Sequence, residues 1–351
     1  MNLVRNMEEN SLNNRHEKLF MVVTTIQAPT DCMVAFGKKW PGRKGSLLIV
    51  GDSKGPFEYS LPNSRLLSIE DQRRLDYNLA KILPEKHYAR KNLGYLSAME
   101  EGAAIIYETD DDNGPLDHWA IRERSIDGFS VNPGEWYNVY QDFSDEIIWP
   151  RGLPLNQVNQ SHDSIIKTRI ESVYCPLQQG LADHSPDVDA VWRLILDKDI
   201  RFADGESILL KKGTWCPFNS QSTWWWPEAY PLMYLPSLCP FRMTDIWRSF
   251  VAQRCLWELG YELVFHKSEV YQNRNPHDPM LDFKDEVSGY LRNQEIKDCL
   301  EALDLKSGDE YCCENLLMSY EALVKIGIVP EAELPLVEAW MNDIKTILKR
   351  S

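Results

Sequence analysis

The chain has 351 residues, of which 43% are hydrophobic and 26% are charged, a composition typical of a globular protein and not of a disordered or membrane-embedded one. Its formal net charge of −15 argues against nucleic acid as the main partner, because phosphate binding needs clustered lysines and arginines. The eight cysteines are scattered without a C-x-x-C pair, which indicates reduced thiols in a reducing compartment.

The N-terminal residues carry no recognisable targeting signal. Residues 1–17 are polar, lack the apolar segment of a signal peptide, and predict a loose arm. No apolar run in the sequence is long enough to span a bilayer. The sequence therefore predicts a soluble protein of the cytoplasm, unless the chain is a piece of an anchored protein.

The first 113 residues alternate between predicted strands and predicted helices. Strands are predicted at 19–26, 46–50 and 103–107, where apolar residues run together between polar or glycine-containing turns. Helices are predicted at 68–83, which a capping box opens, and at 93–101. This alternation predicts an α/β fold with a parallel, doubly wound sheet.

Three consecutive carboxylates, Asp110, Asp111 and Asp112, follow the predicted strand at 103–107. Ligands of open α/β sheets bind beyond the carboxyl ends of the strands, and oxygen ligands at one point suit Mg²⁺ or Mn²⁺. A solvated acidic turn is the alternative, but the position after a buried strand favours the metal site. We predict that Asp110 and Asp112, which lie two positions apart in an extended loop, converge on one ion.

Further polar residues follow the first two predicted strands. Thr24 and Thr25 end the first strand, and Asp52 follows the second. Residues in these positions are placed to contact a base or a ribose. A helix cap or a turn is the open alternative for Thr24 and Asp52.

The segment Arg90-Lys91-Asn92 lies just upstream of the acidic triplet. We predict that Arg90 binds a diphosphate or base and that Asn92 bonds a ribose or the backbone, because arginine is the better bidentate phosphate ligand. Lys91 is predicted to be solvated at the surface.

The second half of the chain is less regular. Residues 114–165 are predicted to be long loops, 244–259 an amphipathic helix, and 261–265 a strand that leads to His266. From residue 281 onward the pattern is helical. The run Trp224-Trp225-Trp226 is interpreted first as core or loop packing and second as a sugar-binding platform.

Six motifs in this order carry a resemblance to a known family: RKNLGY, YETDDDN, WPRGLPL, DVDAVWRL, KGTWCPFNSQST and FRMTDIWRSFVAQR. Together they resemble the STELLO family of glycosyltransferase-like proteins. They are more distantly similar to the reversibly glycosylated polypeptides, which are UDP-arabinopyranose mutases. The resemblance covers roughly residues 19–280.

The resemblance implies a GT-A fold, a Rossmann-like nucleotide-sugar domain at 18–280 whose DXD motif holds the donor diphosphate through Mn²⁺ or Mg²⁺. A C-terminal helical extension at 281–351 lies beyond it. STELLO proteins carry a membrane anchor ahead of this domain, so a Golgi-lumenal piece of such a protein is the alternative to a cytoplasmic one.

The resemblance also implies roles for particular residues. It supports a metal-binding motif at the acidic triplet, in which we expect Asp110 and Asp112 to bind the metal directly or through water and Asp111 to lie nearer the sugar or ribose. His266 is the third metal ligand or, alternatively, a structural histidine. Asp245 is the general base that deprotonates the acceptor, or else a helix cap. The candidates for sugar or acceptor binding are Arg151, Asp187, Asp189, Asn219 and Gln221, and the two aspartates among them are equally suited to cap the following helix.

Three functions remain open at this point. The first is a metal-dependent, inverting glycosyltransferase that uses a nucleoside-diphosphate sugar, preferably UDP-linked, and a carbohydrate or glycan acceptor. The second is a nucleotide-sugar mutase, which uses the same donor and needs no acceptor. The third is a catalytically inactive GT-A scaffold that binds partners through its helices.

Overall fold

The computed structural model describes residues 18–40, 45–160 and 164–350, and the arm predicted at 1–17 lies outside these residues. The strands are β1 (Leu19–Thr24), β2 (Leu47–Val50), β3 (Ser64–Leu67), β4 (Ile105–Thr109), β5 (Asn113–Pro115), β6 (Ser125–Val131), β7 (Thr168–Tyr174), β8 (Leu177–Asp183), β9 (Ser207–Leu210), β10 (Ser222–Trp225) and β11 (Leu263–Gln272). The α-helices are α1 (Asp31–Lys39), α2 (Ile69–Arg74), α3 (Lys91–Glu100), α4 (Ala190–Ile195), α5 (Thr244–Glu258), α6 (Pro279–Glu301), α7 (Cys312–Lys325) and α8 (Leu334–Arg350).

The strands of the described residues form one sheet in the order β3-β2-β1-β4-β10-β8-β11-β9-β6-β7, and β5 pairs with β11. The four strands β3, β2, β1 and β4 are parallel. The α/β prediction is confirmed, and its parallel arrangement holds for these four strands. The next strand, β10, runs antiparallel to β4, a feature that the sequence analysis did not predict.

The order of the parallel strands reverses at β1, which lies between β2 and β4. The chain therefore leaves β1 toward one side of the sheet and returns to form β4 on the other side. At such a reversal the connections diverge, which opens a crevice beyond the carboxyl ends of the strands. Thr24 and Asp110 lie at these two ends, so the topology places the residues of the predicted site together.

Helix α3 packs closely on β1 and β2, and nine of its ten residues are buried. Gly94 permits this contact, because a Cβ atom there would lie 2.6 Å from Val22 Cγ1 and 2.6 Å from Val50 Cγ2. The first residue of α3, Lys91, is thereby held beneath the loop that follows β4.

The three C-terminal helices share a hydrophobic core with the sheet. Leu300 of α6, Leu316 of α7 and Trp340 of α8 belong to the same buried cluster as Phe20 and Val22 of β1. Their packing partner α5 is buried along its whole length, as expected for a helix enclosed between the sheet and other helices. Helices α6, α7 and α8 therefore complete the core that supports the sheet.

Two segments differ from their predictions. The helix predicted at 68–83 is α2 followed by a 3₁₀ turn at Leu79–Lys81, although its capping box at Ser68 is confirmed. The helix is interrupted because the Asp343 carboxylate of α8 accepts hydrogen bonds from the backbone N–H groups of Asn78 and Leu79, each at 2.8 Å. The loops predicted at 114–165 contain β6 and most of β5.

The eight cysteines are all free of disulfide bonds in the structure. Within the described residues, every helix is too short or too polar to cross a bilayer.

Candidate functional site

A cleft of about 580 Å³ opens at the carboxyl ends of β1, β2 and β4, and we call it the main cleft. A smaller space of about 70 Å³, which we call the inner lobe, adjoins the main cleft. Its lining includes Asp110 and His277. Six residues line both spaces: Asp110, Arg151, Arg242, Asp245, Gln272 and His277. The acidic triplet therefore lies in a cleft, where the sequence analysis placed a ligand site.

Asp111 is tied to the end of β1. Its Oδ2 atom accepts hydrogen bonds from Thr25 Oγ1 at 2.5 Å and from Gln27 Nε2 at 3.0 Å. Both Thr25 and Asp111 line the main cleft. Their mutual bond holds the acidic loop against the end of β1, and Thr25 Oγ1 also accepts from the Gln27 backbone N–H at 3.2 Å.

Asp112 carries an incompletely satisfied carboxylate. Its Oδ2 atom accepts from Gln272 Nε2 at 3.1 Å and from the Asn275 backbone N–H at 3.3 Å. Its Oδ1 atom is buried and has no hydrogen-bond partner. Burial raises the pKa of Asp112, and the charge of Asp111 adds to this effect. A buried carboxylate oxygen without a donor is the kind of group that a cation would satisfy.

Asp110 is paired with Lys91, whose Nζ atom lies 2.8 Å from Asp110 Oδ1 and 2.9 Å from the Thr109 carbonyl. Lys91 is fully buried, so the prediction that it is solvated is wrong. The close packing of α3 on the sheet is the physical reason. Burial raises the pKa of Asp110 to about 7 although Lys91 acts in the opposite direction.

Protein groups alone do not enclose a cation here. No three His, Cys, Asp or Glu side chains within the described ranges form a group that holds a metal ion. Mg²⁺ and Mn²⁺ commonly take one or two carboxylates and complete their shell with water and substrate phosphates. Asp110 and Asp112, with the free Asp112 Oδ1 atom, suit a divalent cation that is shared with a diphosphate.

His266 lies away from this site, and its prediction as a metal ligand is wrong. Its ring is buried, and both nitrogens are hydrogen bonded: Nδ1 with Ser207 Oγ at 2.8 Å and Nε2 with Gln178 Oε1 at 2.9 Å. Burial lowers its pKa well below the ordinary value. The prediction failed because β11 continues to Gln272, which places His266 in mid-strand.

Asn92 is also committed elsewhere. Its Nδ2 atom donates to the Leu235 carbonyl and its Oδ1 atom accepts from the Leu235 N–H, each at 2.9 Å. This side chain bridges α3 to a neighbouring backbone and does not line the main cleft or the inner lobe. Its prediction as a ribose ligand is wrong, and the backbone bond named beside it is the observed one.

Asp52 and Arg90 line the main cleft together with Thr24, but both brace the adjacent loop. Asp52 accepts hydrogen bonds from the backbone N–H groups of Lys86 at 2.9 Å and His87 at 3.0 Å, which agrees with the turn alternative. Arg90 donates through Nε to Gln72 Oε1 at 2.5 Å. The main cleft therefore has a rigid wall on the side of β2.

Arg151 joins two carboxylates at the floor of the cleft. Its Nε and Nη2 atoms lie 2.7 and 2.8 Å from the Asp187 oxygens, and Nη1 and Nη2 lie 3.1 and 3.0 Å from those of Asp245. Burial is the largest influence on the pKa of Asp245 and raises it, but the charge and hydrogen bonds of Arg151, together with the charges of Arg248 and Arg242, outweigh burial, so the pKa lies below its ordinary value. Asp245 is therefore ionised at neutral pH, the form in which a carboxylate can accept a proton.

The remaining predicted residues divide between cleft and core. Asp189 caps α4 by accepting from the Trp192 N–H at 2.8 Å, as the alternative interpretation stated. Asn219 accepts from Gln179 Nε2 at 3.2 Å and lies outside the linings of both spaces, whereas Gln221 lines the inner lobe. The three tryptophans at 224–226 are fully buried, which confirms core packing.

The sequence analysis missed several cleft residues. His277 and Arg274 follow the end of β11, and Arg193 and Arg242 line the inner lobe. The signal for the first pair is the segment Arg274-Asn275-Pro276-His277 directly after a strand, where α/β sheets bind ligands. The true end of β11 was needed to use that signal.

Two comparisons with known proteins find similarity to the same family. A family model described as STELLO glycosyltransferases matches residues 242–349, which extend past residue 280 through the C-terminal helices. The chain is 28% identical to two Arabidopsis thaliana proteins named "Probable glycosyltransferase STELLO1" and "Probable glycosyltransferase STELLO2". Each match covers 94% of this chain and 45% of the relative, so the chain spans about half the length of these relatives. Both comparisons show that this chain is similar to STELLO glycosyltransferases, the resemblance that its sequence motifs predict.

Proposed function

We propose that this chain is a divalent-cation-dependent glycosyltransferase of the GT-A type that transfers a sugar from a UDP-linked donor to an acceptor hydroxyl. The observation that carries the proposal is the unpartnered, buried Asp112 Oδ1 atom beside Asp110 at the strand-order reversal. The main cleft, at about 580 Å³, falls within the size range of small-molecule sites. The STELLO-type resemblance supports the same chemistry.

The shape of the site suggests how a donor lies in it. The nucleoside occupies the main cleft near Thr24 and Asp52, the diphosphate lies at Asp110 and Asp112, and the sugar points toward the inner lobe. A bound divalent cation supplies Lewis-acid stabilisation of the charge that develops on the leaving diphosphate. Lys91 holds Asp110 in position through the 2.8 Å contact at Oδ1.

Turnover of UDP-sugars distinguishes this proposal from the two other functions. Nuclear magnetic resonance follows a panel of UDP-sugars with Mn²⁺, in the presence and absence of oligosaccharide acceptors. We expect release of UDP that is accelerated by an acceptor, together with a new glycosidic bond. Isomerisation of a UDP-sugar without acceptor would identify a mutase, and donor binding without turnover of any sugar in the panel would identify a scaffold.

Asp245 is assigned as the base for the acceptor hydroxyl, since its ionised carboxylate lines both spaces. We expect Asp245→Asn to lower the transfer rate by about 100-fold or more, within the range for loss of general-base catalysis, while donor affinity is largely kept. Because the pKa of Asp245 is lowered, the wild-type rate limited by this group stays flat as the pH falls through neutrality. Steady-state rates and donor titrations measure both quantities.

His277 is the competing candidate for the base, because it lines both spaces and its Nδ1 atom lies 3.4 Å from Asp282 Oδ1. We expect His277→Gln to reduce the rate much less than Asp245→Asn. The matched control is His184→Gln, which removes a histidine paired with Asp199 outside both spaces. If His277→Gln causes the larger loss, the role of base passes to His277.

A further inference from the structure

The inner lobe is rich in guanidinium groups. Four arginines line it: Arg151, Arg193, Arg242 and Arg274. With a volume of about 70 Å³, it admits a single group of a few atoms and not a whole sugar ring. Asp110 lies at its boundary with the main cleft, so a group that enters the lobe lies next to the diphosphate position.

Three of the four arginines are neutralised by a nearby carboxylate. The contacts are Arg151 with Asp187 at 2.7 Å, Arg242 with Glu286 at 2.8 Å, and Arg274 with Asp282 at 2.7 Å. The other carboxylate of the floor, Asp245, is also bound to Arg151, at 3.0 Å. These acids are therefore already paired.

Arg193 is the exception. Its side chain is only 8% exposed, and its ion-pair partner, Asp197, lies 3.7 Å away with a side chain that is 74% exposed. Nη2 donates to the Pro186 carbonyl at 2.7 Å, but Nε is buried and has no hydrogen-bond partner. Burial, together with the positive charge of Arg274, lowers the pKa of Arg193 to about 10.

A buried guanidinium with one weak ion pair and one unused N–H is destabilising unless an anion completes it. The planar fork of arginine matches a carboxylate, to which it donates two parallel hydrogen bonds. The small volume of the inner lobe suits a group of this size.

We propose that the inner lobe binds a carboxylate substituent on the sugar of the donor, with Arg193 as its main partner. The donor class is then a nucleoside-diphosphate uronic acid and not a neutral hexose. This inference rests on the proposed function, because the diphosphate must lie at Asp110 and Asp112 for the sugar to reach the lobe. It assigns Arg193 to donor selection, a role that none of the sequence motifs indicated.

Isothermal titration calorimetry with Mn²⁺ tests the inference on the whole chain. The ligands are UDP, UDP-glucuronic acid with UDP-glucose, and UDP-galacturonic acid with UDP-galactose, so that each acid has a neutral partner of the same configuration. We expect at least one acid to bind about tenfold more tightly than its neutral partner, the lower range for a charge-assisted contact. Arg193→Gln should bring that ratio close to one and leave the affinity for UDP within about twofold.

Two further variants keep the result interpretable. Arg193→Lys retains a positive charge and should preserve part of the preference even if Arg193→Gln lowers stability. Arg201→Gln removes an exposed arginine that does not line either space, and should change nothing. Equal binding of acids and neutral sugars, or a preference that survives in Arg193→Gln, overturns the inference and leaves the glycosyltransferase proposal standing. Failure of UDP itself to bind overturns both.

Discussion

Replacing Asp112 with asparagine is expected to remove the Mn²⁺-dependent part of UDP binding while the protein stays folded. The substitution keeps the shape of the side chain and an oxygen that can accept from Gln272 and Asn275, but it removes the negative charge beside the unpartnered Oδ1 atom. Loss of a side chain that only orients a metal-binding residue lowers metal affinity by about 10- to 100-fold. Loss of the charge on a metal-binding carboxylate should therefore lower Mn²⁺ affinity by about 100-fold or more.

The measurement is a calorimetric titration of UDP with and without Mn²⁺, with thermal unfolding as the check on folding. Asp117→Asn is the matched control, since Asp117 is an exposed aspartate a few residues further along the chain. Asp110→Asn should show the same loss of Mn²⁺ dependence and a lower stability, because Lys91 remains buried without its carboxylate. An Asp112→Asn protein that retains the full Mn²⁺ effect would contradict the assignment.

The second large effect concerns the ion pair between Glu108 and Arg248, which joins β4 to α5 directly behind the cleft. The two side chains are 0% and 1% exposed, and Arg248 Nη1 lies 3.0 Å from Glu108 Oε2. Tyr95 Oη and Trp225 Nε1 also donate to the same carboxylate. Glu108→Gln leaves a buried guanidinium uncompensated, so we expect the free energy of unfolding to fall by about 3–5 kcal/mol.

A double-mutant cycle separates the pair from its surroundings. Glu108→Gln with Arg248→Met removes both charges and should recover a large part of the loss, because a buried pair is often replaceable when both partners change. Glu101→Gln is the control, since it breaks the exposed pair with Arg65 and should change stability by no more than about 1 kcal/mol. Chemical denaturation measures the four proteins of the cycle, which are the wild type, Glu108→Gln, Arg248→Met and the double variant, together with the Glu101→Gln control. A loss under about 1 kcal/mol in Glu108→Gln would show that the pair does not hold β4 against α5.

The sequence was sufficient where a residue's role follows from its place along one element. The apolar run before Asp110 predicts a buried strand, and the position after that strand predicts a cleft residue. The same reasoning correctly identified the capping box at Ser68 and the helix at Thr244–Glu258. Each of these signals lies within a few consecutive residues.

The sequence was insufficient where distant segments decide the outcome. Lysine is a residue type that usually lies at the surface, and only the packing of α3 against β1 and β2 buries Lys91 beside Asp110. His266 follows an apolar stretch and His277 follows a polar segment, and the pairing of β11 with β8 and β5 decides which of them reaches the cleft. The carboxylate partners of Arg151 lie 36 and 94 positions away along the chain, whereas the ion-pair partner of Arg193 lies four positions away. Only the fold shows that Arg151 is compensated by distant carboxylates and that Arg193 is not.

The most direct test of the central claim is a calorimetric titration of UDP into the wild-type chain, first in Mn²⁺ and then after its removal with a chelator. The account predicts saturable binding near one UDP per chain. The affinity should weaken by about tenfold or more without Mn²⁺, since the two carboxylates and the diphosphate coordinate the same cation. An absence of UDP binding in Mn²⁺, or an affinity that is unchanged by the chelator, would contradict it.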